Sequence, residues 1–194
     1  LEIHDVGLDL KQDAEMALDE RWGSEKTRWL GDIAREAFPR AMAALEQPRP
    51  CTSCGSPLEL ASRIELVAVT CAHCGVVNQV APLPAVQYYF GTGVQNLADE
   101  AAFPLRCAVE RQRVRVDRSR RARDWAPEPL ESLEEWEHLE RAYWHRFAEV
   151  KAHLRNEPVD TAFVESRMKF FYKYSLETNQ LWVKAKGRSG APVS

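Results

Sequence analysis

No apolar run in this 194-residue chain approaches the ~18 residues that a membrane span needs. No cleavable signal peptide is visible from Leu1 onward. There is no P-loop, no dinucleotide-binding glycine fingerprint, no G-x-S-x-G and no H-E-x-x-H. Gly91-Thr92-Gly93 alone is too short to cradle a phosphate. No internal repeat is evident, and a net charge of −3 supplies no global pull toward nucleic acid. These absences argue against a membrane protein, a nucleotide-dependent enzyme, a serine hydrolase and a zinc protease. What is left, at 45% hydrophobic and 28% charged residues, has the composition of an ordinary globular protein.

Cysteine is scarce but arranged. Five are present, an odd number that fits a reducing, cytoplasmic setting better than a disulfide scaffold. Four of them form two pairs, Cys51-Thr52-Ser53-Cys54-Gly55 and Cys71-Ala72-His73-Cys74-Gly75, separated by 16 residues. That separation lies in the window of a four-thiolate zinc site. A C-x-x-C loop places two sulfurs on one tetrahedral edge, and the glycine after each pair suits the left-handed backbone that closes such a knuckle. Four thiolates fill the coordination sphere and leave no position for water or substrate, so the expected cofactor is one structural Zn²⁺ held by Cys51, Cys54, Cys71 and Cys74. Sulfur spacing alone admits iron in the same ligands. The two C-x-x-C-G motifs resemble the knuckles of zinc-ribbon and rubredoxin-like proteins, over about 35 residues. The segment lacks the aromatic core usual in the iron-binding members of that group, which favours zinc.

Periodicity implies a mainly α fold: helical bundle or hairpins interrupted by a small β zinc ribbon. Five stretches are expected: an N-terminal helical region (1–47), the ribbon (48–83), a helical connector with an arginine-rich segment (84–126), a C-terminal helical hairpin (127–187) and a flexible tail (188–194). In the first, a short helix over Asp9–Trp22 would turn Leu10, Ala14, Ala17 and Leu18 inward. A break at Gly23 and a cap at Ser24 would start a second helix, with Leu30, Ile33, Ala34, Ala37, Phe38, Ala41 and Leu45 in its stripe. Pro39 is expected to kink that helix. In the ribbon, Ile64–Thr70 and Val76–Val80 read as strands, and Leu58–Leu60 as a third. The connector's stripe is Val94, Leu97, Ala98, Ala101, Leu105 and Ala108, with a bend at Pro104. The hairpin's first helix carries Leu133, Trp136, Leu139, Tyr143, Phe147, Val150 and Leu154. Asn156-Glu157-Pro158 makes the turn, with Pro158 opening a helix that contains Phe163, Val164, Met168, Phe170, Phe171, Tyr174, Leu181 and Trp182.

Charge is unevenly spread. Arg106–Arg123 holds eight arginines against Glu110 and Asp117, and Glu128–Glu149 holds seven glutamates against Arg141 and Arg146. The plain reading is that these stretches face each other or stay solvated. The alternative is that Arg111, Arg113, Arg115, Arg118, Arg120, Arg121 and Arg123 grip phosphates, as in a transcription- or translation-associated protein. The ribbon itself argues against this, because from Cys51 to Val80 its only basic residue is Arg63. The Val114 and Val116 alternation also permits an extended arginine segment.

Other candidates are weaker. Glu135 and His138 make an E-x-x-H spacing, but a di-iron bundle of the rubrerythrin kind needs two such motifs, and none of the other histidines has a glutamate three residues before it. His138, His145 and His153 are too far apart to share a metal, seven residues spanning about 10 Å of helix. His73 reads as a surface histidine and Cys107 as a buried thiol. No catalytic constellation emerges, so the expected function is non-enzymatic: a scaffold or adaptor that binds protein partners in a larger assembly. Six tryptophans supply candidate contact surface.

Overall fold

The computed structural model describes residues 2–122, 129–177 and 179–180. The described residues are mainly helical with one two-stranded sheet: α1 Glu2–Glu46, β1 Val67–Thr70, β2 Val77–Val80, α2 Pro84–Tyr88, α3 Val94–Ala122, α4 Leu130–Arg155 and α5 Thr161–Phe171. Single π-helical turns occupy Tyr89–Gly93 and Tyr172–Glu177. Leu181, Trp182, Arg123 and the expected tail lie outside the described residues. The described chain divides into two compact units, one running to Thr27 and resuming at Ala98, the other Arg28–Leu97.

In the first unit, Ala98, Ala102 and Val109 of α3 pack with Tyr143 and Phe147 of α4. Ala148 of α4 adjoins Val164, Met168 and Phe171 of α5. Small residues on α3 let the aromatics of α4 come close, and Trp136 and Trp144 fill space between the two clusters. The turn after α4 closes on Asn156 in the left-handed region (φ 55°), with Glu157 N–H bonded to Ala152 O at 2.9 Å. Asp160, not Pro158, opens α5: its carboxylate accepts from the Phe163 N–H at 2.8 Å.

Helix α1 differs from the sequence expectation twice. It does not break at Gly23, where a Cβ would sit 2.5 Å from Phe103 Cζ. That glycine serves close helix approach rather than a turn. Before Gly23 the faces are also reversed, whereas the stripe expected from Leu30 to Leu45 is buried or partly buried except at Phe38. Leu10 and Leu18 are 65% and 67% exposed, while Asp9, Gln12, Met16 and Glu20 are the partly buried side chains. Polar pairing with α3, described below, holds that side inward. Neither Pro39 nor Pro104 ends its helix.

Helix α3 continues through the arginines to Ala122, so the segment is helical and not extended. Gln112, Val114 and Val116 are all buried because α3 is covered on two sides. Its arginines reach α1, and Gln112 Nε2 donates to Ser132 O of α4 at 3.0 Å.

The second unit carries the ribbon. β1 and β2 pair antiparallel, Val67 opposite Val80 and Thr70 opposite Val77. Leu58–Leu60 forms no third strand. A single bridge joins Pro50 and Pro57, two residues without an N–H to extend a ladder. Leu58 is instead buried with Cys51 and Cys71, flanked by Leu60, Val69 and Val80. So small a core depends on a further crosslink. Two arginines tie the ribbon's base: Arg63 donates to Leu45 O and to Gln47 O (2.9 Å) at the end of α1, and Arg49 donates to Ala81 O.

Candidate metal centre

Each knuckle is built the same way. Cys51 N–H donates to Ser56 O at 2.7 Å and Gly55 N–H to Cys51 O at 3.0 Å. In the second knuckle, Cys71 N–H donates to Val76 O and Gly75 N–H to Cys71 O, both at 2.9 Å. Gly55 and Gly75 take φ of 76° and 73°, the left-handed conformation that the sequence pattern calls for. The two loops point their sulfurs at one another, and all four Sγ atoms lie within 4.8 Å of each other. Between knuckles, Cys51 Sγ is 3.6 Å from Cys74 Sγ, and Cys54 Sγ is 3.7 Å from Cys71 Sγ. Sulfurs about 2.3 Å from a tetrahedral ion stand about 3.8 Å apart, so these spacings fit a single Zn²⁺. The donor set is soft and closed, as a structural zinc requires. Cys51 and Cys71 are buried, Cys54 and Cys74 exposed, so the site sits at an edge of the ribbon.

Asn78 is the functional residue that the sequence reading missed. It is 3% exposed, and its Oδ1 accepts from both the N–H and the hydroxyl of Thr52 at 2.9 Å. Its Nδ2 donates to Val76 O at 3.0 Å and points at Cys51 Sγ at 3.5 Å. One side chain thus ties the first knuckle to the backbone of the second. The signal was a polar residue at the inward position of β2, three residues after Gly75.

Local hydrogen bonding favours thiolate at the first knuckle. The Cys54 thiol is drawn down to about 5, first by the Ser56 hydroxyl and then by the Ser56 N–H. The N–H groups of Cys54 and Ser53, helped by Asn78 and Cys74, lower Cys51. Cys74 feels the Val76 N–H pulling it down, yet neighbouring Cys54, burial, Cys51 and Cys71 together push it up to about 11. Four sulfurs ionised together repel one another, which holds the proton on Cys74, and a cation at their centre relieves that repulsion.

The other candidates are not brought together. Among the described residues the four cysteines are the one His, Cys, Asp or Glu group placed to hold a metal. His73, His138, His145 and His153 are exposed. Glu135 faces Arg115 at 3.4 Å, and His145 faces Glu149 at 3.2 Å. Cys107 is partly buried, and burial raises its thiol.

The arginines of α3 meet carboxylates, chiefly from α1 rather than from the Glu128–Glu149 stretch. Arg111 holds Glu20 through two nitrogens, Nε to Oε1 at 2.6 Å. Arg118 reaches Asp13 at 2.6 Å and the Asp9 carbonyl at 3.0 Å, and Arg121 reaches Asp9 at 2.8 Å. Gln12 Oε1 accepts from both Arg118 and Arg121. Arg113 pairs along its own helix with Glu110 (2.8 Å) and Asp117 (3.8 Å). Arg120 is partly buried on α3.

No family model matches this chain, and neither the curated proteins nor the solved structures supply a match. Fold and site together define a mainly helical protein with a candidate structural zinc site, formed by four clustered cysteines beside a two-stranded sheet. No helix among the described residues is long and apolar enough to cross a membrane.

Proposed function

We propose that this chain is a non-enzymatic zinc-ribbon protein of the cytoplasm, an adaptor or scaffold in a larger assembly, with the metal-stiffened ribbon as a docking knob for a protein partner. The closed four-sulfur cluster carries this reading, because a saturated ion can hold a fold but offers no place for turnover. The ribbon's exposed apolar residues support it: Leu66, just before β1, and Val77, at the start of β2, are 67% and 64% exposed. Apolar side chains on so small a module suit contact with another protein better than with phosphate. Both arginines at its base are engaged with backbone carbonyls. The nucleic-acid alternative gains nothing from the arginine segment, where most of the side chains named above already meet carboxylates.

The test is affinity capture of the intact zinc-loaded chain from its native source, with crosslinks mapped by mass spectrometry. The reading expects a protein partner crosslinked at the ribbon and lost when Leu66→Lys and Val77→Lys are combined, zinc content unchanged. Capture of nucleic acid through α3, or a partner indifferent to those substitutions, contradicts it.

A further inference from the structure

Up to Thr27, the outward face of α1 carries larger apolar side chains than the side it turns inward. A surface helix that has finished its packing shows the reverse. In that stretch the inward residues are Asp9, Gln12, Met16, Glu20, Gly23 and Thr27, while Leu10, Leu18 and Trp22 stand 65%, 67% and 67% exposed. Exposed apolar side chains gathered on one helix face mark a contact surface.

The order of residues on that face identifies what it contacts. At about 100° per residue, Lys11, Ala14, Leu18, Trp22 and Glu25 fall within an arc of about 80°, and all five are exposed. Their spacings, three, four, four and three, read the same from either end and centre on Leu18. Reversing the order therefore opposes Leu18 to itself, Ala14 to Trp22 and Lys11 to Glu25. Small meets large, and cation meets carboxylate. In sequence the same centre also opposes Gly7 to Trp29. Two-fold symmetry makes this demand of an isologous contact, in which residue i meets j and j meets i. Antiparallel helices seat such residues in alternating layers. We infer that α1 pairs antiparallel with α1 of a second copy of this chain, across a two-fold axis at Leu18.

In the pair, two Lys11–Glu25 contacts bracket three apolar layers: Ala14 with Trp22, Leu18 with Leu18, Trp22 with Ala14. Lys11 lies 3.6 Å from Glu15 of its own helix, and both are more than 60% exposed. Glu25, exposed as well, also has an interaction within its own chain, and exchanging such exposed contacts for intermolecular ones costs little. The arginine contacts with Asp9, Asp13 and Glu20 use the other side of α1 and are untouched.

Sedimentation equilibrium and light scattering on the full zinc-loaded chain test this. The wild type is expected at twice 22.1 kDa, dissociating on dilution. Lys11→Glu or Glu25→Lys alone places like charges together twice and should weaken association at least about tenfold. An equimolar mixture of those two variants should associate again as a heterodimer, and the double swap in one chain should restore the homodimer. Leu18→Glu should yield monomers with unchanged far-UV circular dichroism; if it unfolds, the charge-swap mixture decides. A wild type of 22.1 kDa at every concentration, or a dimer that the single swaps leave intact, overturns the inference.

Discussion

At the residue scale, the metal centre depends on how each sulfur is held as well as on the sulfurs. Asn78 bonds Thr52 of one knuckle and Val76 of the other, so Asn78→Ala should lower zinc affinity roughly 10–100-fold. Competition with a chromophoric chelator measures it, and an affinity equal to wild type would rule out this positioning role. Protonation follows from the thiol shifts. Cys74, pushed up to about 11, carries its proton at neutral pH until metal arrives, so zinc binding at pH 7 should release protons. Cys54, drawn down to about 5, is already thiolate when metal arrives at neutral pH, and acid strong enough to protonate the thiolates should release the ion. Calorimetry in buffers of different ionisation enthalpy reads the first, and metal content after stepwise acidification the second. Glu140 shows the opposite sign. Burial raises its carboxyl, partly offset by the Trp144 indole N–H at 3.2 Å. With the folded value above the unfolded one, the ionised carboxylate opposes folding at neutral pH, and this cost disappears below about pH 4. Glu140→Gln keeps the acceptor for Trp144 and should stabilise by less than about 1 kcal/mol at pH 7, with no gain at pH 4. Thermal melts at the two pH values decide it.

At the element scale, period was legible throughout; facing was legible in α3, in α4 and in α1 from Leu30 onward, but not in the first part of α1. Alternating threes and fours located α1, α3 and α4, and β-branched runs located both strands, because those patterns depend on local geometry alone. Which side of α1 turns inward depends on residues about a hundred positions away: Arg118 and Arg121 claim Asp9, Gln12 and Asp13. A sequence pattern assumes that apolar residues go inside, and here a polar seam reverses that. Gly23 misled for a related reason, since the Phe103 ring that demands a missing Cβ comes from another helix. Gly23→Val should therefore destabilise by about 1–3 kcal/mol through overpacking, measured by chemical denaturation. A neutral result would mean the ring moves aside freely. The third strand failed for lack of N–H donors at Pro50 and Pro57, a clue present in the sequence but outweighed by Leu58 and Leu60.

At the scale of the whole molecule, the candidate site was the most readable part. Two C-x-x-C-G motifs and the interval between them contain nearly all the geometry of the cluster, apart from Asn78. The arginine segment was the least readable, because charge composition does not say whether a guanidinium meets phosphate or a carboxylate of its own chain. The ribbon's fold therefore depends on the ion. Zinc K-edge X-ray absorption on purified, metal-quantified protein tests it most directly. One zinc per chain, with four sulfur neighbours at about 2.3 Å and no lighter ligand, is the expected result. A protein without stoichiometric metal, or an ion that keeps a water or nitrogen ligand in place of one sulfur, would contradict it.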